Sequence, residues 1–327
     1  MSHLTYLEAA VSGLLQGVSE LFPVSSLGHN VLLPALIGGS WARDLNVAHS
    51  QTYLAFIVGL HVATAIALFI YFWRDWLRII GGFFSSVTRF RVETADQKLA
   101  WMIILATIPV GLAGIALDHA FKIFFGVPIR AAAFLAVNGV ILIAGERFRR
   151  RSSMAADQEI AEERELVAAG GRRGGGSRHA SGHQAARATE LAEAQEADER
   201  LARHGYWQAL IIGAAQILAL LAGISRDGVA MVAGMMRGLS REDAARFAFL
   251  LATPVILAAG ALKAKDLIHN GHGIYGPILL GSILSGVGAY VSVRFLVRYF
   301  RTRTLTPFGI YCLVVGLGSM VYLGLIK

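Results

Sequence analysis

The chain has 327 residues, 55% hydrophobic and only 16% charged, with a formal net charge of +8. Soluble domains carry roughly 25% charged residues, so the composition excludes an ordinary soluble domain and points to an integral membrane protein. The single cysteine, Cys312, excludes an intramolecular disulfide and a thiolate metal cluster. The positive balance fits basic cytoplasmic loops rather than a nucleic-acid partner.

Residues 4–22 read as a first apolar helix and 29–38 as its return. Neither arm reaches the ~20 residues of a comfortable span, so 4–38 reads as a re-entrant hairpin. Residues 39–50 read as a surface loop with Trp41 near an interface, and 52–73 as a span that stops at WRDWLR. Residues 74–98 hold Arg74, Arg78, Arg89, Arg91 and Lys98, which places them in the cytoplasm by the positive-inside rule. Residues 99–117 span outward and 130–147 return to the basic run ERFRRRSS. No basic region opens MSHLTYLEAA, so no cleavable signal peptide is expected.

Residues 148–205 differ in kind, being rich in Ala, Glu, Arg and Gly around GRRGGGSRHASGH. They read as a hydrophilic cytoplasmic insert with helical Ala/Glu/Arg flanks and a flexible Gly-rich centre, because such a stretch buries too little apolar area to fold alone. His179 and His183 have metal-pair spacing, but a solvated linker is the simpler reading. Residues 206–221 enter from the cytoplasm, break at AGISRDG and return through 229–238, a second re-entrant hairpin over 206–238. Spans follow at 243–262, kinked by Pro254, at 276–297 and at 307–325, with Arg298, Arg301 and Arg303 marking the cytoplasmic side. The expected fold is therefore an all-α polytopic membrane protein with both termini outside. It is an inverted-topology repeat of halves 1–147 and 206–327, whose hairpins meet near the midplane.

The two breaks share a plan. Gln16–Ser26, QGVSELFPVSS, lies on Gln216–Arg226, QILALLAGISR, with Gln on Gln, Ser25 on Ser225, and the helix breakers Pro23 and Gly223 in register. Glu20 falls on Leu220 and Ser26 on Arg226, so one half brings an acid and a hydroxyl, the other a guanidinium. Ionisable groups at membrane depth are functional-site hypotheses by default. Gln16 and Glu20 share a helix face, where an acid beside an amide can hold a divalent cation or orient a proton. Of Ser25 and Ser26, one is expected to cap the next helix and the other to react. His29 is close enough in sequence to act as acid or base, although a structural role is the commoner fate of a lone histidine. The fork of Arg226 suits a phosphate, with Ser225 and the amides around Gly228 as further donors. Together these make a site for a phosphorylated group whose tail lies in lipid.

These residues resemble the undecaprenyl-diphosphate phosphatases of bacteria, also called bacitracin-resistance proteins. The family pattern is E/Q-x-x-x-E, then PVSS-x-GH, then PG-x-SRSG-x-T. The first two stand here as QGVSE and PVSSLGH, and the resemblance extends over the chain outside 148–205. It implies hydrolysis of a polyprenyl diphosphate to the monophosphate, which recycles the carrier lipid for cell-wall synthesis, at an outward-facing site in the bacterial plasma membrane. It also implies a divalent cation, Mg2+ or Ca2+. By position, Glu20 is the essential acid and metal partner, Ser26 the nucleophile, His29 its proton-transfer partner and Arg226 the phosphate clamp. Gln16, Ser25, Ser225, Asp227 and Gly228 complete the binding site. The expected partners are the polyprenyl diphosphate, the bilayer and a second copy of the chain as a homodimer. The last motif departs from the pattern: Ala222 stands for Pro, Asp227 for the second Ser and Ala230 for Thr. An aspartate there repels a diphosphate unless it binds metal or pairs with Arg226. Two other readings stay open at this point: a transporter or flippase of a lipid-linked phosphate, and a weakly catalytic relative that only binds one.

Overall fold

The computed structural model describes residues 4–45, 51–125, 127–168, 192, 195–263 and 273–326, and among these every regular element is helical. In chain order they are α1 (Tyr6–Leu21), α2 (Ser26–Ile37), α3 (Gly39–Asp44), α4 (Gln51–Tyr71), α5 (Trp73–Arg89), α6 (Ala95–Phe125), α7 (Pro128–Ala168), α8 (Tyr206–Ala215, prolonged by a tighter turn over Gln216–Leu220), α9 (Arg226–Met236), α10 (Arg241–Leu262), α11 (Tyr275–Thr302) and α12 (Thr306–Ile326). Six of them, α4, α6, α7, α10, α11 and α12, are long and apolar enough to cross a membrane. The chain is a multi-pass, all-α membrane protein.

The short helices come as two helix–break–helix units, α1–α2 and α8–α9, each pair packed together. Thr5 opens α1 with a capping box: its hydroxyl accepts from the Glu8 amide while the Glu8 carboxylate accepts from the Thr5 amide. Four residues, Phe22–Ser25, separate α1 from α2, and Ser25 and Ser225 cap the helices that follow the breaks. The returns therefore start at Ser26 and Arg226, three residues earlier than the sequence suggested.

Small residues let α1 approach α11. A Cβ on Gly13 would lie 2.3 Å from the Gly281 carbonyl oxygen, and one on Gly17 2.2 Å from that of Ser285. Without hydrophobic drive between helices in lipid, such close backbone contact is what holds them. It fixes the end of α1, and hence Glu20, against the bundle. The second break is pressed on α7 in the same way: Gly223, at φ +114, leaves no room for a Cβ beside the Ala131 carbonyl. Asn138 of α7, fully buried, joins the two breaks. Its Nδ2 donates to the Pro23 carbonyl at 2.9 Å and its Oδ1 accepts from the Ser225 amide at 3.0 Å.

The structure adds detail in three stretches, of which only the first departs from the sequence reading. The expected loop at 39–50 contains α3, with 46–50 outside the described residues. The basic stretch 74–98 is mostly a regular helix, α5. Within 148–205, α7 continues to Ala168, and residues 195–202 form a helix docked on the bundle. His179 and His183 lie outside the described residues. Docking rests on charge: buried Asp198 accepts from Arg78 at 2.6 Å and from Arg246 at 2.9 Å, and Arg200 grips Asp243 at 2.8 Å. Burial pushes the Asp198 carboxyl above its ordinary range, against the pull of Arg246 and Arg78. Asp75 shares both arginines. Removing one partner of a buried pair costs about 3–5 kcal/mol. With Asp75 still present, Asp198→Ala should sit near the lower end of that range, seen as a lower unfolding temperature in detergent and faster trypsin cleavage around residue 200.

Candidate active site

The two breaks meet at the polar end of a cavity of about 270 Å³. Glu20 is the hub. Its Oε1 accepts from Arg226 Nη2 at 3.0 Å, across the two breaks. Its Oε2 accepts from Gln16 Nε2 at 2.8 Å and from the Ser26 hydroxyl. His61 of α4 brings Nε2 to 3.3 Å from the same oxygen. The other ring nitrogen of His61 faces the Ile57 carbonyl at 2.9 Å, so it carries a proton and donates. The contact with Glu20 is then attractive only when a proton also lies between Nε2 and Oε2. Gln16 is oriented in turn by Asn30, whose Nδ2 donates to Gln16 Oε1 at 2.7 Å.

The serines divide the work as expected. Ser25 caps α2: its hydroxyl oxygen accepts from the Gly28 amide at 3.2 Å and from the Gly223 amide of the other break at 3.1 Å. Holding that position needs φ +69 at a non-glycine residue, a strained backbone of the kind that clusters at functional sites. Ser225 caps α9, accepting from the Gly228 amide at 3.1 Å. Ser26 is the serine aimed at the carboxylate. Both helix N-termini, at Ser26–Leu27 and Ser225–Arg226, line the cavity, and two converging dipoles of that sign favour an anion. The rest of the lining is largely apolar, with Leu27, Ile57, Leu220, Ile224, Val255 and Ile256, and Lys263 also lines the cavity. A charged headgroup with a hydrocarbon tail fits this division.

Four predicted residues lie off the cavity wall: Gln16, which acts through Glu20, Gly228, whose amide is taken by Ser225, and His29 and Asp227. His29 does not join Ser26. Its Nδ1 faces the Ser25 carbonyl at 2.8 Å and must donate, so its Nε2 accepts from the Tyr311 hydroxyl at 2.8 Å. The ring stacks on Tyr311 and is absent from the cavity wall. Asp227 is buried beside Arg226, its Oδ1 accepting from Nε at 3.3 Å, and its Oδ2 has no partner. It too is absent from the cavity wall, so it pairs with the clamp rather than facing a ligand. Among the described residues no three His, Cys, Asp or Glu side chains come together as a metal cage. Among the described residues Glu20 is the one carboxylate lining the cavity, and it is the residue that would hold a cation of the Mg2+ kind, which takes one or two carboxylates and completes its shell with water and substrate phosphate.

A model of the family described as bacitracin resistance protein BacA matches residues 9–171 and 179–318. The chain belongs to this family. The match is interrupted only at 172–178, within the hydrophilic stretch 148–205. Among similar curated proteins, the undecaprenyl-diphosphatase of Mycolicibacterium paratuberculosis is 55% identical over 326 residues, 99% of each chain. Undecaprenyl-diphosphatase 2 of Frankia alni is 50% identical, covering 97% of each. A third, from Chromobacterium violaceum, is 38% identical over 97% of this chain and 98% of its own.

Sequence reasoning missed His61 and Asn138. A signal existed for both: each is a polar residue inside an apolar span, the pattern that singled out Glu20 and Arg226.

Proposed function

We propose that the chain hydrolyses undecaprenyl diphosphate, or a similar polyprenyl diphosphate, to the monophosphate and inorganic phosphate, recycling the carrier lipid of cell-wall synthesis. The observation that carries this reading is the Glu20–Arg226 pair, formed between the two breaks at the polar end of an apolar-walled cavity. The names of the relatives support hydrolysis, and no observation favours the transporter reading.

In the proposed reaction Ser26 Oγ attacks the terminal phosphorus and its proton passes to Glu20 Oε2, the atom it already faces. The bond from phosphorus to the bridging oxygen breaks, and that oxygen leaves on the polyprenyl monophosphate. Water then attacks the phosphoserine phosphorus, the P–Oγ bond breaks, Glu20 returns its proton to Ser26 Oγ, and the water's oxygen and protons leave on inorganic phosphate. Arg226 and the two helix ends neutralise the transferred group; positioning and charge are most of what phosphoryl transfer requires. A divalent cation, Mg2+ or Ca2+, would be held by Glu20 together with the diphosphate and would supply further neutralisation.

The cavity opens outward in this reading. The Asp198–Arg246 contact lies near the start of α10 and Lys263 just past its end, ~26 Å apart along 17 residues. The basic segments gather on the Arg246 side, which the positive-inside rule assigns to the cytoplasm. The two helix–break–helix units are then re-entrant hairpins, and the membrane is the bacterial plasma membrane.

Purified protein in detergent, given farnesyl or undecaprenyl diphosphate with magnesium, should release phosphate. Release no greater than from Ser26→Ala overturns the reading. The histidines give a second expectation. His61→Gln, losing the ring that faces Glu20, should lower kcat about a hundredfold, the lower bound for a positioned proton-transfer group. His29→Gln should act chiefly on thermal stability. The reverse order in phosphate-release assays would restore His29 to the site.

A further inference from the structure

Helix α5 has three faces. Trp73, Leu77, Ile80, Phe84 and Val87, spaced four, three, four and three apart, form an apolar stripe whose members are 40% to 61% exposed. Asp75, Ile79, Gly82 and Ser86 are buried on the opposite side. There Gly82 abuts the backbone of Asp96 and Gln97, and Trp101 Nε1 donates to Ser86 Oγ at 2.9 Å, which fixes the rotation of the helix about its axis. Between these faces runs an exposed polar edge with Arg74, Thr88 and Arg89, continued by Arg91. The only acid of the helix, Asp75, is buried against Arg78 and Arg246, so every charge that α5 itself turns outward is positive.

The place of the helix is set by its neighbours. The α4 span ends at Tyr71 and the α6 span begins at Ala95, so α5 joins two span ends at one membrane surface. At 17 residues, with four charges, it is too short and too polar to be a span itself. A large apolar stripe beside a basic edge is the pattern of a helix lying in the interface.

We propose that α5 lies in the plane of the membrane surface, its stripe seated among the lipid chains and its arginine edge against anionic phospholipid headgroups. Charge complementarity selects the anionic leaflet, and continuity with the two span ends selects lipid over a protein partner. The stripe needs no partner chain to leave water.

Nitroxide labels on the full chain test this, placed by Leu77→Cys, Phe84→Cys, Arg74→Cys and Thr88→Cys in a Cys312→Ser background, in vesicles of phosphatidylcholine and phosphatidylglycerol. Each variant is first checked for a single sharp peak on size exclusion, and the two stripe positions stand in for one another. Labels at 77 and 84 should collide with dissolved oxygen and be shielded from an aqueous nickel chelate; labels at 74 and 88 should show the reverse. Stripe labels as open to nickel as the edge labels would place α5 in water. Stripe labels shielded from both reagents would mean a second copy covers it. Either result overturns the proposal. The anionic partner is tested by lipid retention in mixed nanodiscs. Each basic residue near an anionic surface strengthens binding roughly fivefold, so Arg74→Glu with Arg89→Glu should reduce phosphatidylglycerol enrichment several-fold. Unchanged enrichment would remove the headgroup half of the proposal.

Discussion

Glu20→Gln should lower phosphate release about a thousandfold, within the range lost when a general base is removed. The argument rests on its partners. Gln16 Nε2, Ser26 Oγ and Arg226 Nη2 present donors to the two carboxylate oxygens, and His61 Nε2 adds a fourth when it carries a proton. Only an acceptor-only group satisfies four donors, and an amide has a single acceptor oxygen with two hydrogens of its own. Whichever way the amide is turned, its NH2 faces at least one donor. It also cannot take the proton from Ser26, so the nucleophile stays a neutral hydroxyl. The fold should survive, because Arg226 keeps Asp227 as a counter-charge. The measurement is single-turnover phosphate release beside a thermal unfolding curve. Activity within a few-fold of wild type would remove Glu20 from the chemistry, whatever it does for stability. Glu20→Asp makes the finer point: the charge stays, but the carboxylate withdraws by one methylene from Ser26, and most of the rate should still be lost.

The spans were legible because 18 or more apolar residues in a row have few other fates. The meeting of Glu20 and Arg226 was legible because an acid and a guanidinium in matching breaks of a repeat invite pairing. What stayed hidden was tertiary. His29 stands four residues after Ser25, and sequence proximity to the serines suggested a reactive partner. Its ring is instead turned away by the carbonyl of the capping serine and by Tyr311, 282 residues on. His61 reaches Glu20 because α4 and α1 both pack on α11, which no local pattern announces. The α5 stripe was present in the sequence at a spacing of three and four, but its arginines drew attention to charge and away from periodicity. Asp198 lies in a hydrophilic stretch, and its burial depends on Arg78 and Arg246, each distant in the chain. Asp227 was seen as a conflict with an anionic ligand; the conflict is relieved by its turn toward Arg226 Nε and off the cavity wall.

That turn separates two roles of Arg226, and a paired substitution can tell them apart. Arg226→Ala removes the phosphate clamp, and loss of a positioned arginine from phosphoryl transfer costs roughly a thousandfold in rate. It also leaves Glu20 and Asp227, 7% and 1% exposed at the side chain, without their shared cation. An unpaired buried charge destabilises by about 3–5 kcal/mol, so the unfolding temperature should fall with the rate. Adding Asp227→Asn to Arg226→Ala removes the acid that only Arg226 compensates, while Glu20 retains Gln16, Ser26 and His61. Stability should then largely return and activity should not. In the wild-type background Asp227→Asn should leave turnover close to normal and lower KM, because Asn Oδ1 still accepts from Arg226 Nε while the site gains a unit of positive charge for a diphosphate. If Arg226→Ala with Asp227→Asn recovered activity along with stability, Arg226 would be a counter-charge for Asp227 alone, and the phosphate would have to be held by the two helix ends.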